Sequence, residues 1–167
     1  MIRLLAEHDL QAWKDIRLES LQCNPESFLE SPEEFLQKSD EQILQQLSRN
    51  HIFGYFDAKG RIQSTIGFMV DAPKRLQHKG VLWAVYTRAE QRRTGISTQL
   101  LHEVVAHART QNVTQIHLTV WAENVAAIAY YKKHGFSIYG TEHGAICIDG
   151  RSIDDHLMVK MLVKPDA

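Results

Sequence analysis

Apolar residues recur along this chain at two periods, and the switches between them predict the elements. Ile2 to Leu5 reads as a short strand. Leu10, Trp13, Ile16, Leu18 and Leu21 then fall at mostly helical spacing, which predicts a helix over about 8–22 that Asn24-Pro25 stops. Ser31-Pro32-Glu33-Glu34 is a helix start: a Ser N-cap, Pro at the first position and a Glu that completes a capping box. Phe35, Ile43, Leu44 and Leu47 supply its apolar stripe, and Arg49-Asn50 ends it, so a single second helix is expected.

The period then changes. Ile52 to Phe56 and Ile62 to Val70 flank Asp57-Ala58-Lys59-Gly60 and read as a hairpin, which Ala72-Pro73 breaks. Val81 to Thr87 reads as a central strand. A basic turn, Gln91-Arg92-Arg93-Thr94-Gly95, follows it. Ile96, Leu100, Leu101, Val104, Val105 and Ala108 then predict a helix that runs to about Gln111. Ile116 to Trp121 is another strand. Asn124 opens a helix with Ala127, Ile128 and Tyr131 on one face, closed by His134-Gly135, where glycine suits the position after a C-cap. Phe136 to Tyr139 resumes strand. Ile146-Cys147-Ile148 and Leu157 to Leu162 flank the turn signal Asp149-Gly150. The central strand–helix–strand unit is expected to be parallel, with right-handed crossovers.

Composition narrows the picture. The chain has 167 residues, a size expected of one domain over 1–167, with 44% hydrophobic and 23% charged residues. A formal net charge of -1 gives no general pull toward nucleic acid or a membrane surface. No apolar run approaches the ~20 residues of a membrane span. The N-terminus, Met1 to Glu7, turns acidic too soon for a signal peptide. Cys23 and Cys147 lie far apart without metal-type spacing, as expected of thiols in a reducing cytoplasm. The expectation is a cytoplasmic protein with no metal, no nucleic-acid partner and no membrane partner.

Against that neutral background the basic turn stands out. Arg92 and Arg93 sit at the start of a helix with no acidic residue before Glu103. Cations there oppose the helix dipole. Free backbone N–H groups beside arginines make a ready phosphate site. Three readings compete on the turn alone. A dinucleotide fold needs G-x-G-x-x-G near the chain start, and here one glycine follows a hairpin. A P-loop needs G-x-x-x-x-G-K-[ST], which is absent. The third is a plain helix start with solvated arginines.

Two stretches together go further. Arg92-Arg93-Thr94-Gly95-Ile96-Ser97 resembles the R/Q-x-x-G-x-G/A signature of the GNAT superfamily of acetyl-CoA-dependent N-acetyltransferases. Asn124 to Phe136 is similar to that family's second signature, N-x-x-A-x-x-x-Y-x-x-x-G-F. Tyr139-Gly140-Thr141-Glu142, Asp149-Gly150 and Asp154 to Met158 are similar to common bacterial members. The resemblance covers nearly the whole chain. It implies an α/β (α+β) fold with a mixed, mostly antiparallel, splayed central sheet flanked by helices. Two positions depart from the pattern: Ser97 stands where the family has Gly or Ala, and Arg93 where many relatives have Gly.

The resemblance also implies a chemistry. Acetyl-CoA would lie in a V-shaped split between the strand ending near Thr87 and the strand at Ile116 to Trp121. Its pantetheine arm would pair with the backbone of Val85, Tyr86 and Thr87. The backbone N–H groups from Arg93 to Thr98, through Thr94, Gly95, Ile96 and Ser97, would hold the pyrophosphate beside Arg92. Asn124 is first an N-cap; contact from Asn124 and Ala127 to the cofactor arm is the addition that the family implies. Lys133 reads as a solvated lysine within reach of a phosphate. Tyr131 would be the general acid: a thiol of pKa ~8.5 leaves as thiolate, and a tyrosine of pKa ~10 can donate to it. Its neighbour Tyr130 points about 100° away on a helix and reads as core.

The acceptor is expected to be a primary amine, on a small molecule, a peptide or protein N-terminus, or a lysine. An alkylamine of pKa ~10.4 needs a base, and an α-amine near 7.7–8.0 needs less help. Glu142 is the base candidate carried forward, beside Glu123, His117 and His143. Phe28, Trp83 and Tyr139 suggest an apolar acceptor wall. A homodimer is compatible, since dimers are frequent in the family. Two other readings remain at this stage: a non-catalytic acyl-CoA-binding regulatory domain, and a plain interaction domain.

Overall fold

The computed structural model describes residues 1–162, so the last five positions of the expected 1–167 domain lie outside the described residues. Among the described residues the hydrogen-bonded strand order is β1 (Ile2–Leu4), β2 (His51–Phe56), β3 (Ile62–Val70), β4 (Lys79–Thr87), β5 (Gln115–Trp121), β7 (Arg151–Met161), β6 (Ser137–Ile148), mostly antiparallel, with helices flanking the sheet. The described chain divides into two compact units, one of 1–69 with 82–108 and one of 70–81 with 109–162.

The first unit holds β1 (Ile2–Leu4), α1 (Leu10–Cys23), α2 (Pro32–Leu36), α3 (Asp40–Arg49), β2 (His51–Phe56), β3 (Ile62–Val70) and most of β4 (Lys79–Thr87). β1 and β3 each pair antiparallel with β2. β4 runs back along β3: Arg88 N donates to Gln63 O at 3.0 Å, and the Thr65 hydroxyl to Ala84 O at 3.0 Å. Trp13, Ile16 and Leu21 of α1 pack with Phe35, Ile43, Ile52, Ile62 and Tyr86 into one apolar cluster. The sheet leaves no room for a side chain at Gly67, where a Cβ would come within 2.5 Å of the Trp83 indole.

The expected single helix after Ser31 is two helices. Ser31 caps α2 as the sequence indicated, its hydroxyl accepting from Glu34 N at 3.1 Å. A second capping box then restarts the chain: the Ser39 hydroxyl accepts from Gln42 N, and Gln42 Oε1 from Ser39 N at 2.9 Å. Continuous apolar spacing concealed this break, because Phe35 and Ile43 are both buried on either side of it.

The second unit holds the start of β4, β5 (Gln115–Trp121), α5 (Val125–Lys133), β6 (Ser137–Ile148) and β7 (Arg151–Met161). Lys79, Gly80 and Val81 pair parallel with Gln115, Ile116 and His117, as expected of the strand–helix–strand unit around α4 (Ile96–Thr110). β7 pairs antiparallel with both β5 and β6. The two separate strands expected at 136–139 and 146–148 are one strand of 12 residues. Register shifts between Ile138 and Gly140 and between Glu142 and Ile146 break the alternation on which sequence reading depends. Val113, Ile116, Leu118, Val120, Phe136, Ile153, Met158 and Leu162 are buried apolar residues of this unit, together with Tyr131.

Candidate active site

In the first unit, β4 alternates strictly. Leu82, Ala84 and Tyr86 are buried, and Trp83, Val85 and Thr87 are half-buried on the other face. Ala84 has φ +47°, a left-handed conformation that is uncommon for a residue with a Cβ. Strain of this kind gathers at functional sites, and composition gives no hint of it. Trp83, expected in an acceptor wall, is half-buried and packs edge-on to Trp13 with ring centroids 6.3 Å apart. The Tyr86 hydroxyl donates to Glu19 at 3.0 Å, and burial raises its pKa.

Arg88, which sequence reading missed, ends the strand. Its side chain is fully buried. It donates to Ile62 O at 2.8 Å and to Asp15 at 2.7 Å, and pairs with Glu19 as well. The strand end is thereby tied to α1 and β3.

The basic turn follows. Arg93 (φ +65°) and Gly95 (φ +90°) are both left-handed, one residue apart, immediately before α4. At Arg93 the bend is made by a residue that carries a Cβ. The Thr94 hydroxyl donates to Gln91 O at 2.7 Å, and Gln99 N donates to Gly95 O at 3.1 Å as the helix begins. The first turn of α4 carries no acidic residue. Such a concave run of backbone before a helix N-terminus suits an anion. The two arginines differ. Arg92 donates from Nε to Thr87 O at 3.2 Å, with its guanidinium 5.9 Å from the Tyr86 ring centroid. Arg93 is exposed, and no ion-pair partner is seen for it among the described residues. Ile96 is buried and anchors the helix start, while Ser97 and Thr98 are half-buried.

In the second unit, Asn124 caps α5 as expected, its Oδ1 accepting from Ala127 N at 3.1 Å. Tyr131 is buried, its ring 5.6 Å from Phe136 and 5.4 Å from Tyr130. Burial, then the neighbouring Tyr130, pushes its pKa above the ordinary phenol value, so it holds its proton at neutral pH. No hydrogen bond from its hydroxyl is seen among the described residues. Tyr130, expected in the core, is half-buried, and Tyr131 is the residue turned inward. A helix rotation of about 100° separates the two but cannot say which one faces in. Gly135 (φ +84°) closes the helix, and Lys160 Nζ donates to His134 O at 2.7 Å. Lys133 is exposed.

The base candidates fare unequally. Glu123 is exposed, 3.6 Å from Arg151. His117 bonds to Gln115 at 2.8 Å, and burial, with Lys79 and His78, lowers its pKa. His143 Nδ1 lies 2.7 Å from Asp154, whose carboxylate also accepts from Gly144 N at 2.8 Å. Glu142 is exposed on β6, opposite Asp155 of β7. Asp155 was not among the candidates. It is only 7% exposed, and burial, with Glu142 and Asp154 beside it, raises its pKa. The signal available in sequence was an Asp-Asp pair, 154–155, in a strand whose alternation puts one member inward. Tyr139 is exposed and Phe28 half-buried; Cys23 and Cys147 are exposed free thiols. No helix among the described residues is long and apolar enough to cross a membrane.

Comparison with known proteins places this chain in a class of enzymes. The family model described as "Acetyltransferase (GNAT) domain" matches residues 2–157. No curated protein matches significantly. The fold is shared with the crystal structure of a GNAT-family acetyltransferase from Streptococcus pneumoniae, at TM-score 0.84 and 22% identity, covering 98% of this chain and 99% of that one. A phosphinothricin acetyltransferase from Sinorhizobium meliloti, solved in complex with AcCoA, matches at TM-score 0.83 and 19% identity, covering 97% and 88%. A ribosomal-protein-alanine N-acetyltransferase from Brucella melitensis matches at 0.79 and 24% identity, covering 97% and 99%. The chain belongs to the GNAT acetyltransferase family. It is an acyltransferase, and acetyl-CoA is the co-substrate of that family.

Proposed function

We propose that the chain works as a single N-acetyltransferase domain and moves the acetyl group of acetyl-CoA to a primary amine by direct attack. The observation that carries this reading is the turn at Arg92 to Gly95, where two left-handed residues precede a helix start free of acidic side chains. A diphosphate is the anion that such a turn suits, held by the backbone from Arg93 through Thr94, Gly95, Ile96 and Ser97 to Thr98. Arg93 adds charge from its exposed side, and Arg92 braces the turn against Thr87. The backbone of Val85, Tyr86 and Thr87 pairs with the amide-bearing arm, and Asn124 and Ala127 add contacts to it.

Tyr131 supplies the proton. The amine nitrogen forms the new C–N bond, the C–S bond breaks, and the departing sulfur takes the hydroxyl proton of Tyr131. Tyr131 holds its proton at neutral pH and can donate to the departing sulfur; the burial that raises its pKa makes it a weaker acid, so its hydrogen bond to the developing thiolate carries much of the effect. No covalent enzyme intermediate is needed. The acceptor amine belongs to a small molecule, a peptide or protein N-terminus, or a lysine.

The test is thiol release from acetyl-CoA with a panel of benzylamine, spermidine, L-lysine and a peptide with a free N-terminal alanine. Tyr131→Phe lowers turnover about 10²-fold on the best acceptor while the melting temperature holds. Unchanged turnover removes Tyr131 from the mechanism. CoA binding without turnover on any amine replaces the reading with that of an acyl-CoA-binding regulatory domain.

A further inference from the structure

Taking an unpartnered carboxylate out of water costs several kcal/mol even after the surroundings relax, so a chain that does so invites a cation to arrive from elsewhere. Asp155 approaches that case: the residue is only 7% exposed, while its carboxylate oxygens keep some contact with solvent. Its neighbours account for their own charges: Asp154 is satisfied by His143 and Gly144 N, Arg151 lies by Glu123, and Lys160 donates to His134 O. No hydrogen bond or ion pair to the Asp155 carboxylate is seen among the described residues.

Its position follows from the register. Asp155 stands opposite Trp121 of β5 on one side and Glu142 of β6 on the other. Directly opposed residues point to the same face, so Asp155 shares a face with Trp121, Thr119 and Glu142. Trp121 is the last residue of β5, and Ala122 N donates to Asp154 O at 2.9 Å, which fixes β7 against that strand end. The carboxyl ends of parallel strands are where open α/β sheets receive ligands, and β5 is the parallel partner of β4. The next residues along the chain are the Asn124 cap and the helix that carries Tyr131.

We propose that the Asp155 carboxylate receives the acceptor's ammonium group and takes its proton, which defines the acceptor as an amine that is cationic in solution. This rests on the N-acetyltransferase reading above. The step balances: the ammonium gives one proton to Asp155, and the freed lone pair forms the C–N bond as the C–S bond breaks. The sulfur takes the Tyr131 proton. The second nitrogen proton restores Tyr131, and Asp155 releases its own to water. Glu142, exposed across the ladder, adds negative charge that draws a cation in. A carboxyl whose pKa lies above the ordinary value is a stronger base than a surface aspartate.

The experiment compares wild type with Asp155→Asn on the best amine of the panel across the pH range. Glu142 on β6 faces Asp155, and on β5 the same face carries Thr119 and Trp121, with His117 further along; Asp154 and His156 flank it on β7 and point to the other face, Asp154 raising its pKa and His156 lowering it. At neutral pH the variant is expected to lose about 10²-fold or more in kcat/KM with CoA binding kept. As the pH rises toward the amine's own pKa, neutral amine forms unaided and the deficit shrinks about tenfold per pH unit. A constant deficit at every pH, or none, overturns the assignment. Should the Asn variant fold poorly, Asp155→Ala with added formate serves. Partial rescue by that small carboxylate supports the role, and its failure in a folded protein counts against it. A wild type that acetylates no amine defeats the underlying reading as well, whereas an active wild type matched by Asp155→Asn defeats the Asp155 assignment alone.

Discussion

Arg88 and Asp155 are both buried charges, one in each compact unit, and they are buried on different terms. Arg88 meets two carboxylates and a carbonyl. Asp155 meets a like charge across the ladder and no partner among the described residues. The first is what a scaffold does with a charge it cannot leave in water. The second makes sense where the missing partner is a substrate. Completeness of the local hydrogen bonding, more than burial itself, separates the structural charge from the functional one.

The sharpest way to break this comparison is to remove Arg88. Arg88→Ala strips a buried partner from Asp15 and Glu19, at a cost of about 3 kcal/mol. For a chain of this size that lowers the melting temperature by roughly 6–12 °C. A melting curve that does not move would make Arg88 an ornament.

A smaller effect is expected at Gly95, where φ is +90°. Gly95→Ala strains the turn by about 1–3 kcal/mol. CoA binding, followed by calorimetry, weakens about tenfold while turnover at saturating CoA holds. Loss of turnover with unchanged affinity would detach the turn from anchorage.

The smallest effect has the opposite sign to the first. Asp155→Leu removes an uncompensated charge and raises stability by about 1 kcal/mol while abolishing activity. The pH dependence follows from the raised pKa. Where the folded pKa lies above the unfolded value, the folded state holds more protons between the two, so lowering the pH favours folding of the wild type. The Leu variant's advantage is therefore present at neutral pH, fades as the pH falls through the raised pKa, and is gone below the ordinary aspartate value of about 3.9. Equal melting temperatures of the two proteins at neutral pH would show that the carboxylate has a partner after all.

What could be read from the sequence follows the physics of each element. α1 and α4 each bury one face, and β2 and β3 flank the polar turn at 57–60, so period and breaker residues found them. β6 is exposed along most of its length and shifts register twice, so no periodicity marked it. The turn and Tyr131 lay in contiguous motifs. Asp155 and Arg88 owe their meaning to residues far away in sequence: Asp155 to strands that pair only in the fold, Arg88 to carboxylates on α1. Ala84 was unreadable for another reason. Its φ is left-handed, and an alanine carries no sign of that in the sequence.

Arg88 has a further consequence for a chain being made. It lies 73 residues after its partner Asp15. At a synthesis rate of about 5–20 residues per second, α1 emerges from the ribosome about 4–15 seconds before the side chain that pins it. Through that interval Asp15 and Glu19 face water or other cations, and the first helix waits for the fourth strand.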